Sequence, residues 1–376
     1  MESGKDGRLS SEREALKAAF LANNGLGDAR REKLAGDAST RLYERLFRPD
    51  GTSLIFMDQP PSVETKPCPP GATEAERAIL GYNASARLAA GRVDAFVATA
   101  GYLRDRGLSA PQVLAAAPDQ GLAVLEDLGD DLYARLIEAG AAEAPLYEAA
   151  IDLMIQLHAE PPPAVLETDG ARWPLLAYDA LALKTGGDMF IEWWPKYAGA
   201  APFSPEAIDT WNALWDPIRR RGEAGASVFA HRDYHAENLI WLPQRGGAAR
   251  VGLLDFQDAL RAHPAWDLLS LLQDARRDVA PALEARMLDR YLAARPDLDR
   301  AEFLADYRGL AALNAMRILF IFARQVAGFG RPRYAELMPR VWRTLERDLA
   351  EPGFEGLRAW FDREIPPDTR PREPRP

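Results

Sequence analysis

The chain is poor in the residues that staple small folds. It has one cysteine, Cys68, in 376 residues. An intrachain disulfide and a four-cysteine metal centre are therefore excluded, and the thiol, set in a Pro-rich stretch, reads as unpaired and without a catalytic role. Only four histidines occur, and there is no H-E-x-x-H and no cysteine cluster to hold zinc. No basic tract offsets a net charge of −10, which argues against a general nucleic-acid binder but leaves room for a local basic pocket. Long apolar runs are lacking too. The N-terminus is charged, so no signal peptide is expected. The most apolar window, residues 318–326, is broken by Arg324 and too short to span a bilayer. The expectation is a cytoplasmic protein with neither nucleic-acid nor membrane partner.

What is present is ordinary for a globular protein: 47% hydrophobic and 27% charged residues, in a chain long enough for two domains or two lobes. Residues 1–31 have Leu9, Leu16, Phe20 and Leu21 near helical spacing. A small-residue turn at 34–40 leads into alternation at Leu42, Glu44 and Leu46, a turn cluster at 48–52, and a short apolar strand at 53–57. Residues 59–72 are Pro-rich and read as irregular. A helix around 94–106 precedes two further strands, 111–114 and 122–125, with a turn at 117–121. After residues 126–130 helical periodicity dominates. The pattern predicts an α+β, two-lobed fold, with a small β-sheet lobe over residues 1–126 and a larger, mainly helical lobe over 127–376.

The most informative residues lie between 231 and 257. The run His231-Arg232-Asp233-Tyr234-His235-Ala236-Glu237-Asn238 fits H-R-D-x-x-x-x-N, and Asp255-Phe256-Gln257 departs from D-F-G only in its last residue. In that order they supply what metal-assisted phosphoryl transfer needs. Asp233 is the candidate base, to orient an acceptor hydroxyl and take its proton. Asn238 and Asp255 are candidate Mg²⁺ ligands, since one amide and one carboxylate oxygen leave coordination positions for phosphate and water. The apolar run 251–254 would deliver Asp255 to a strand end. A lone Asp in a loop is usually a turn or cap residue; it is the joint pattern that carries the signal.

Other residues keep two readings. His231 and His235 at i, i+4 are one ligand pair short of a zinc site, and His231 suits a scaffold role, with Asp267 as a partner for it or as a helix N-cap. Gly36-Asp37-Ala38-Ser39-Thr40 is a phosphate loop or a plain turn; with one glycine it is weak alone, but it precedes a predicted hairpin. Glu126-Asp127-Leu128 is the candidate hinge, whose backbone would pair with an adenine edge. The strand that usually carries a phosphate-binding lysine ends in Met57-Asp58 here. Arg41, Arg45 or Lys66 would have to supply that charge, Arg41 and Arg45 otherwise being a solvated edge. Trp194 and its neighbours offer flat surface for a sugar or, more simply, core. Asn314, Arg317, Ile321 and Arg324 share one helix face.

Together, H-R-D-Y-H-x-x-N, L-D-F-Q-D-A and V-L-E-D-L-G resemble the aminoglycoside phosphotransferase family, the choline-kinase branch of kinase-like folds. L-x-G-D-A-S-x-R-x-Y (34–43), M-D-x-P-P (57–61), D-L-L-S-L-L-Q-D-A-R (267–276) and I-F-A-R-Q (321–325) resemble its bacterial N-acetylmuramate/N-acetylglucosamine anomeric kinases of cell-wall recycling. The resemblance covers roughly residues 30–365, and M-D-x-P-P is itself a mark of that subgroup. It implies ATP and Mg²⁺, a small-molecule acceptor with an amino sugar first, Asp233 as base, and Asn238 and Asp255 as metal ligands. Nucleotide contacts are expected from Gly36, Asp37, Ser39, Arg41, Glu126 and Leu128. Acceptor contacts are expected from His235, Gln257, Trp194, Arg276 and Arg317. An aminoglycoside-modifying enzyme and a nucleotide-binding pseudokinase are the alternatives. Arg276, Arg277 and Arg317 favour an acidic acceptor over a polycation.

Overall fold

In the computed structural model the described residues are 2–34, 41–60 and 66–372, the stretch 2–10 by its backbone alone. Five antiparallel strands form a sheet in the order β1-β2-β3-β5-β4: β1 (Arg30–Lys33), β2 (Leu42–Phe47), β3 (Ser53–Asp58), β4 (Val113–Ala117) and β5 (Leu122–Glu126). Period-two alternation sorts their side chains. Leu46, Leu54, Phe56, Leu122 and Val124 pack on Phe20, Leu21 and Leu26, in or just after helix α1 (Glu2–Asn23). Met57, Ala123 and Leu125 face the opposite way, into the main core.

The sheet's back also carries buried charge. Glu44 on β2 accepts from Lys17 Nζ (2.7 Å) and Arg31 Nε (2.6 Å), while Asp58 pairs with Lys17 (3.4 Å) and Arg13 (2.5 Å). The hydrogen bond from Arg31, first among the causes, holds the Glu44 carboxyl at about 2. The expected inward alternation thus holds for Glu44 and Leu46 but not for Leu42, which is exposed at the sheet's end. Arg30 and Arg31, the end of the expected helical lead-in, belong instead to the strand Arg30–Lys33, because pairing with β2 outweighs the local pattern. The first expected strand of the second hairpin is shifted to 113–117, followed by a 3₁₀ turn.

Helices α2 (Glu74–Leu80), α3 (Tyr82–Ser85) and α4 (Val93–Asp105) connect β3 to β4. A capping box between Thr73 and Glu76 starts α2. Beyond β5 come α5 (Tyr133–Glu138), α6 (Glu143–Leu157), a hairpin of β6 (Val165–Thr168) and β7 (Ala171–Pro174), α7 (Ala180–Ala198) and α8 (Pro205–Ala224). Asp179 caps α7 and pairs with Arg77 (2.5 Å) and Arg87 (2.7 Å), joining it to the α2–α3 segment.

Four short strands follow: β8 (Val228–Ala230), β9 (Leu239–Trp241), β10 (Val251–Leu253) and β11 (Leu260–Ala262). β8 pairs with β11 and β9 with β10, so two small ribbons flank the segment between them. The chain ends with α9 (Ala265–Leu272), α10 (Pro281–Ala293), α11 (Arg300–Phe329), α12 (Met338–Leu349) and α13 (Glu355–Glu364). α11 is long and apolar enough to cross a membrane, yet most of its apolar window lies inside the protein, packed on α7, α9 and α12. The apolar run read at 318–326 is the second half of this core helix.

Glu44 links pH to stability. Its folded value lies below the usual 4.5, so its contribution is complete above about pH 4.5 and is lost as pH falls towards 2. Glu44→Gln should cost on the order of 2–4 kcal/mol at pH 7. Denaturant unfolding should show that gap closing between pH 4.5 and 2, and a gap independent of pH would refute the assignment.

Candidate active site

The loop between β8 and β9 is held from beneath by one carboxylate. Asp267, in the first turn of α9, accepts the backbone N–H groups of His231 (2.6 Å) and Arg232 (2.9 Å). Burial pushes its carboxyl up to about 7 in spite of both donors. The expected partnership with His231 is thus made through the backbone, and the cap position of α9 belongs to Pro264. Arg232 takes the left-handed conformation (φ +81°), costly for a non-glycine residue and tolerated where surroundings over-determine it. Its buried guanidinium donates to Ala86 O (2.8 Å) and Arg87 O (3.0 Å). Tyr234 donates to Ala150 O (2.9 Å). Asp233 is thus flanked by two anchored side chains, Arg232 and Tyr234.

Residues 231–235 form a loop before a one-turn 3₁₀ helix, so His231 and His235 do not line up as a helical zinc pair. His231 is buried among Tyr234 and Phe256, and burial lowers its imidazole to about 4, leaving it neutral at physiological pH. His235 lies at the cleft, its Nε2 3.3 Å from Asn238 Nδ2.

Asp233 opens onto a cleft of about 660 Å³. Burial alone would raise its carboxyl; Arg317 and then Arg232 overcome that and bring it down to about 2. Arg317 Nη2 donates to Asp233 Oδ1 at 3.2 Å and Nη1 to Asn314 Oδ1 at 3.3 Å. Asn238 Nδ2 donates to Asp233 O (2.8 Å). The donor end of that amide is therefore engaged by the protein, leaving its oxygen for a ligand. Leu254 N donates to Asn238 O (2.9 Å), tying Asn238 to the residue before Asp255. Asp255 follows the end of β10, as the apolar run foretold, in a left-handed conformation (φ +59°) with a half-exposed carboxylate. Asn238 and Asp255 both line the cleft. One amide and one carboxylate fit Mg²⁺, a hard cation that keeps waters and shares phosphate oxygens.

Arg41, the residue before β2, crosses to this centre, with Nη1 2.9 Å from Asp255 Oδ1 and 2.6 Å from Gln257 Oε1. Of the three cations considered for the missing lysine, it is the one beside Asp255. Arg45 is committed to Asp127 (2.7 Å) and Asp130 (2.8 Å) at the hinge, and Lys66 is exposed and does not line the cleft. Leu125–Asp130 forms one wall of the cleft. Leu128 packs on Ile240 and Leu242, while the Glu126 side chain pairs with Arg245 (2.5 Å). Gly36, Asp37 and Ser39 lie outside the described residues.

Three expectations for the acceptor change. Trp194 is buried, stacked on Phe190 (5.3 Å) and edge-on to Trp342 (5.0 Å), so it is core and not a sugar platform. Gln257 is buried and serves Arg41 and Asp255. Arg277 pairs with Glu143 (2.7 Å), away from the cleft. Arg276 does line the cleft, bound through Nε to Glu237 (2.8 Å). Asn314, Arg317 and Ile321 line it too, whereas Arg324 lies against Trp193 and Phe329. Sequence reading missed Asp274 and Ser270, which also line the cleft. The usable signal was an acid ending the apolar run of α9.

Arg317 supplies the largest downward influence on Asp233, so Arg317→Gln should raise its pKa by about one to three units. A base acts ionised, so with Asp233 as the candidate base the acid limb of kcat/KM should move up by that amount. A profile from pH 4 to 9 with an unmoved limb would show that Arg317 does not act through Asp233.

The phosphotransferase enzyme family model (APH) matches residues 31–304. The chain is 66% identical to an N-acetylmuramate/N-acetylglucosamine kinase of Caulobacter vibrioides, covering 96% of this chain and 99% of that one. It is 27% identical to a kinase of the same description from Pseudomonas aeruginosa, covering 89% of each. A choline kinase from Streptococcus pneumoniae shares the fold with a TM-score of 0.54 at 14% identity, over 92% of this chain and 99% of that one. An ADP-bound aminoglycoside phosphotransferase does so at 0.50 and 14% identity, over 88% and 96%. With its small antiparallel sheet, helical remainder and matched residues, the chain belongs to the APH phosphotransferase enzyme family and has a two-lobed, protein-kinase-like fold.

Proposed function

We propose that this protein is an ATP- and Mg²⁺-dependent kinase that phosphorylates the anomeric 1-hydroxyl of N-acetylmuramate and N-acetylglucosamine. The observation that carries the acceptor is the 66% identity, across nearly the full length of both chains, to a kinase described by those two sugars. The site's chemistry agrees with it. Asp233, ionised under all ordinary conditions, accepts the proton of the sugar hydroxyl as its oxygen attacks the terminal phosphorus of the donor. Asn238 and Asp255 would hold Mg²⁺, which when bound neutralises phosphate charge. Arg41 stands in for the strand lysine and offers a planar, permanently charged fork to phosphate oxygens.

In this reading residues 1–126 form the donor lobe, with the backbone of Glu126–Leu128 facing the base, and residues 127–376 carry catalysis and the acceptor. Dependence on ATP puts the reaction in the cytoplasm, among the steps that reuse cell-wall amino sugars. Arg276 and Arg317 in the cleft wall suit the carboxylate of an acceptor such as N-acetylmuramate.

Incubation with ATP-Mg²⁺ and a panel of the two sugars, an aminoglycoside, choline and homoserine should give ADP release with the sugars. Phosphorus NMR should report an anomeric phosphate. Asp233→Asn should lower kcat by about two to four orders of magnitude. ADP release without preference for either sugar would refute the acceptor, and a fully active Asp233→Asn would refute the base.

A further inference from the structure

The turn after α9 contains a carboxylate with unspent hydrogen-bonding capacity. Asp274 is 4% exposed. Its Oδ1 accepts the backbone N–H of Arg276 at 2.8 Å, and its Oδ2 is buried with no hydrogen-bond partner among the described residues. A buried carboxylate oxygen without a donor is unfavourable, and such groups are normally satisfied. Asp274 is in the wall of the cleft that contains Asp233. No described residue supplies the missing donor, and a sugar hydroxyl brought to this wall of the cleft is one that would.

Two residues further on, Arg276 reaches the same cleft. Its Nε binds Glu237 (2.8 Å), and its Nη1 lies 3.5 Å from His235 Nε2. Glu237 is in the catalytic loop and is itself half-exposed. The Arg276 guanidinium, about a third exposed, has donors beyond those engaged by Glu237 and His235. Hydrogen-bond acceptor and cation thus sit two residues apart on one turn, facing one cleft.

We infer that the turn at residues 274–276 is the acceptor-recognition element, with Asp274 accepting a sugar hydroxyl and Arg276 binding an acceptor carboxylate. The inference rests on the amino-sugar reading above and deepens it. N-acetylmuramate is N-acetylglucosamine with its 3-hydroxyl carried into a lactyl ether, so the two sugars share their other hydroxyls and differ in charge by the lactyl carboxylate. Asp274 then serves both acceptors, and Arg276 sets the preference between them. Glu237 tunes that preference: it keeps the arginine oriented and partly neutralised when the acceptor has no negative charge. An Arg-to-carboxylate hydrogen bond is strong and directional, while hydroxyl recognition needs only an oriented acceptor.

The test is steady-state kinetics of the full chain with each sugar, using Asp274→Asn, Arg276→Gln and the wild type. Melting temperature and ADP affinity serve as controls. Asp274→Asn keeps an oxygen for the Arg276 N–H and should raise KM for both sugars about tenfold or more, with ADP affinity unchanged. Arg276→Gln should lower the ratio of kcat/KM for muramate to that for glucosamine by about tenfold to a hundredfold, whatever loss the two share. An unchanged ratio overturns the role of Arg276. An unchanged KM in a folded Asp274→Asn overturns that of Asp274; should that variant melt early, Asp274→Glu with unaltered KM values does the same. Wild-type protein that turns over neither sugar overturns the functional reading itself, a result distinct from variants that behave like an active wild type.

Discussion

The contact between Asp267 and the backbone of His231 and Arg232 is the constraint on which the rest of the site depends. A carboxylate buried without a cation beside it is an unfavourable object, and its carboxyl rises to about 7 accordingly. What justifies its place is geometry. Two adjacent backbone N–H groups converge on it, and that convergence requires the chain to turn through the left-handed region at Arg232. The turn aims Arg232 back into the carbonyls at residues 86 and 87 and leaves Asp233 facing the cleft. One acid under the loop thus orients another above it.

From there the site is an exercise in balancing charge. In the proposed role of base, Asp233 would fail if burial set its protonation state, and equally if a cation bound it too closely. Arg317 holds it at 3.2 Å, ionised and still open to the cleft. On the other side Asn238 and Asp255 are kept together by backbone pairing of the strands that flank them, independently of any ligand. Preorganisation of this kind removes reorganisation from the reacting step.

Much of this was readable in the primary structure, for identifiable reasons. The catalytic loop and the Asp255 strand are local in sequence, so spacing alone reports them. The sheet's strands showed through period-two burial, which a one-residue slip would invert. Other features depended on contacts between distant segments. Strand β1 is made by its partner, since Arg30–Lys33 has no apolar alternation of its own. Trp194 is core because Trp342, on a distant helix, closes edge-on over the pair it forms with Phe190 of its own helix, something the local sequence does not reveal. Arg41 rather than Arg45 approaches Asp255 because the acids of the hinge claim Arg45 first. Asp274 falls within the stretch 267–276 that carries the resemblance, but only its enclosure in the fold singles it out there.

The pairing of Arg41 with Asp255 has a consequence for how the molecule is made. The two residues are 214 positions apart. Closing so wide a loop is entropically slow and comes after local structure forms. During synthesis β2 leaves the ribosome long before Asp255 exists, and until then the sheet has only earlier segments to pack on, α1 on one face and α4 on the other. The centre between the lobes is thus among the last features to assemble, and a nascent chain can hold a folded sheet well before it holds a site.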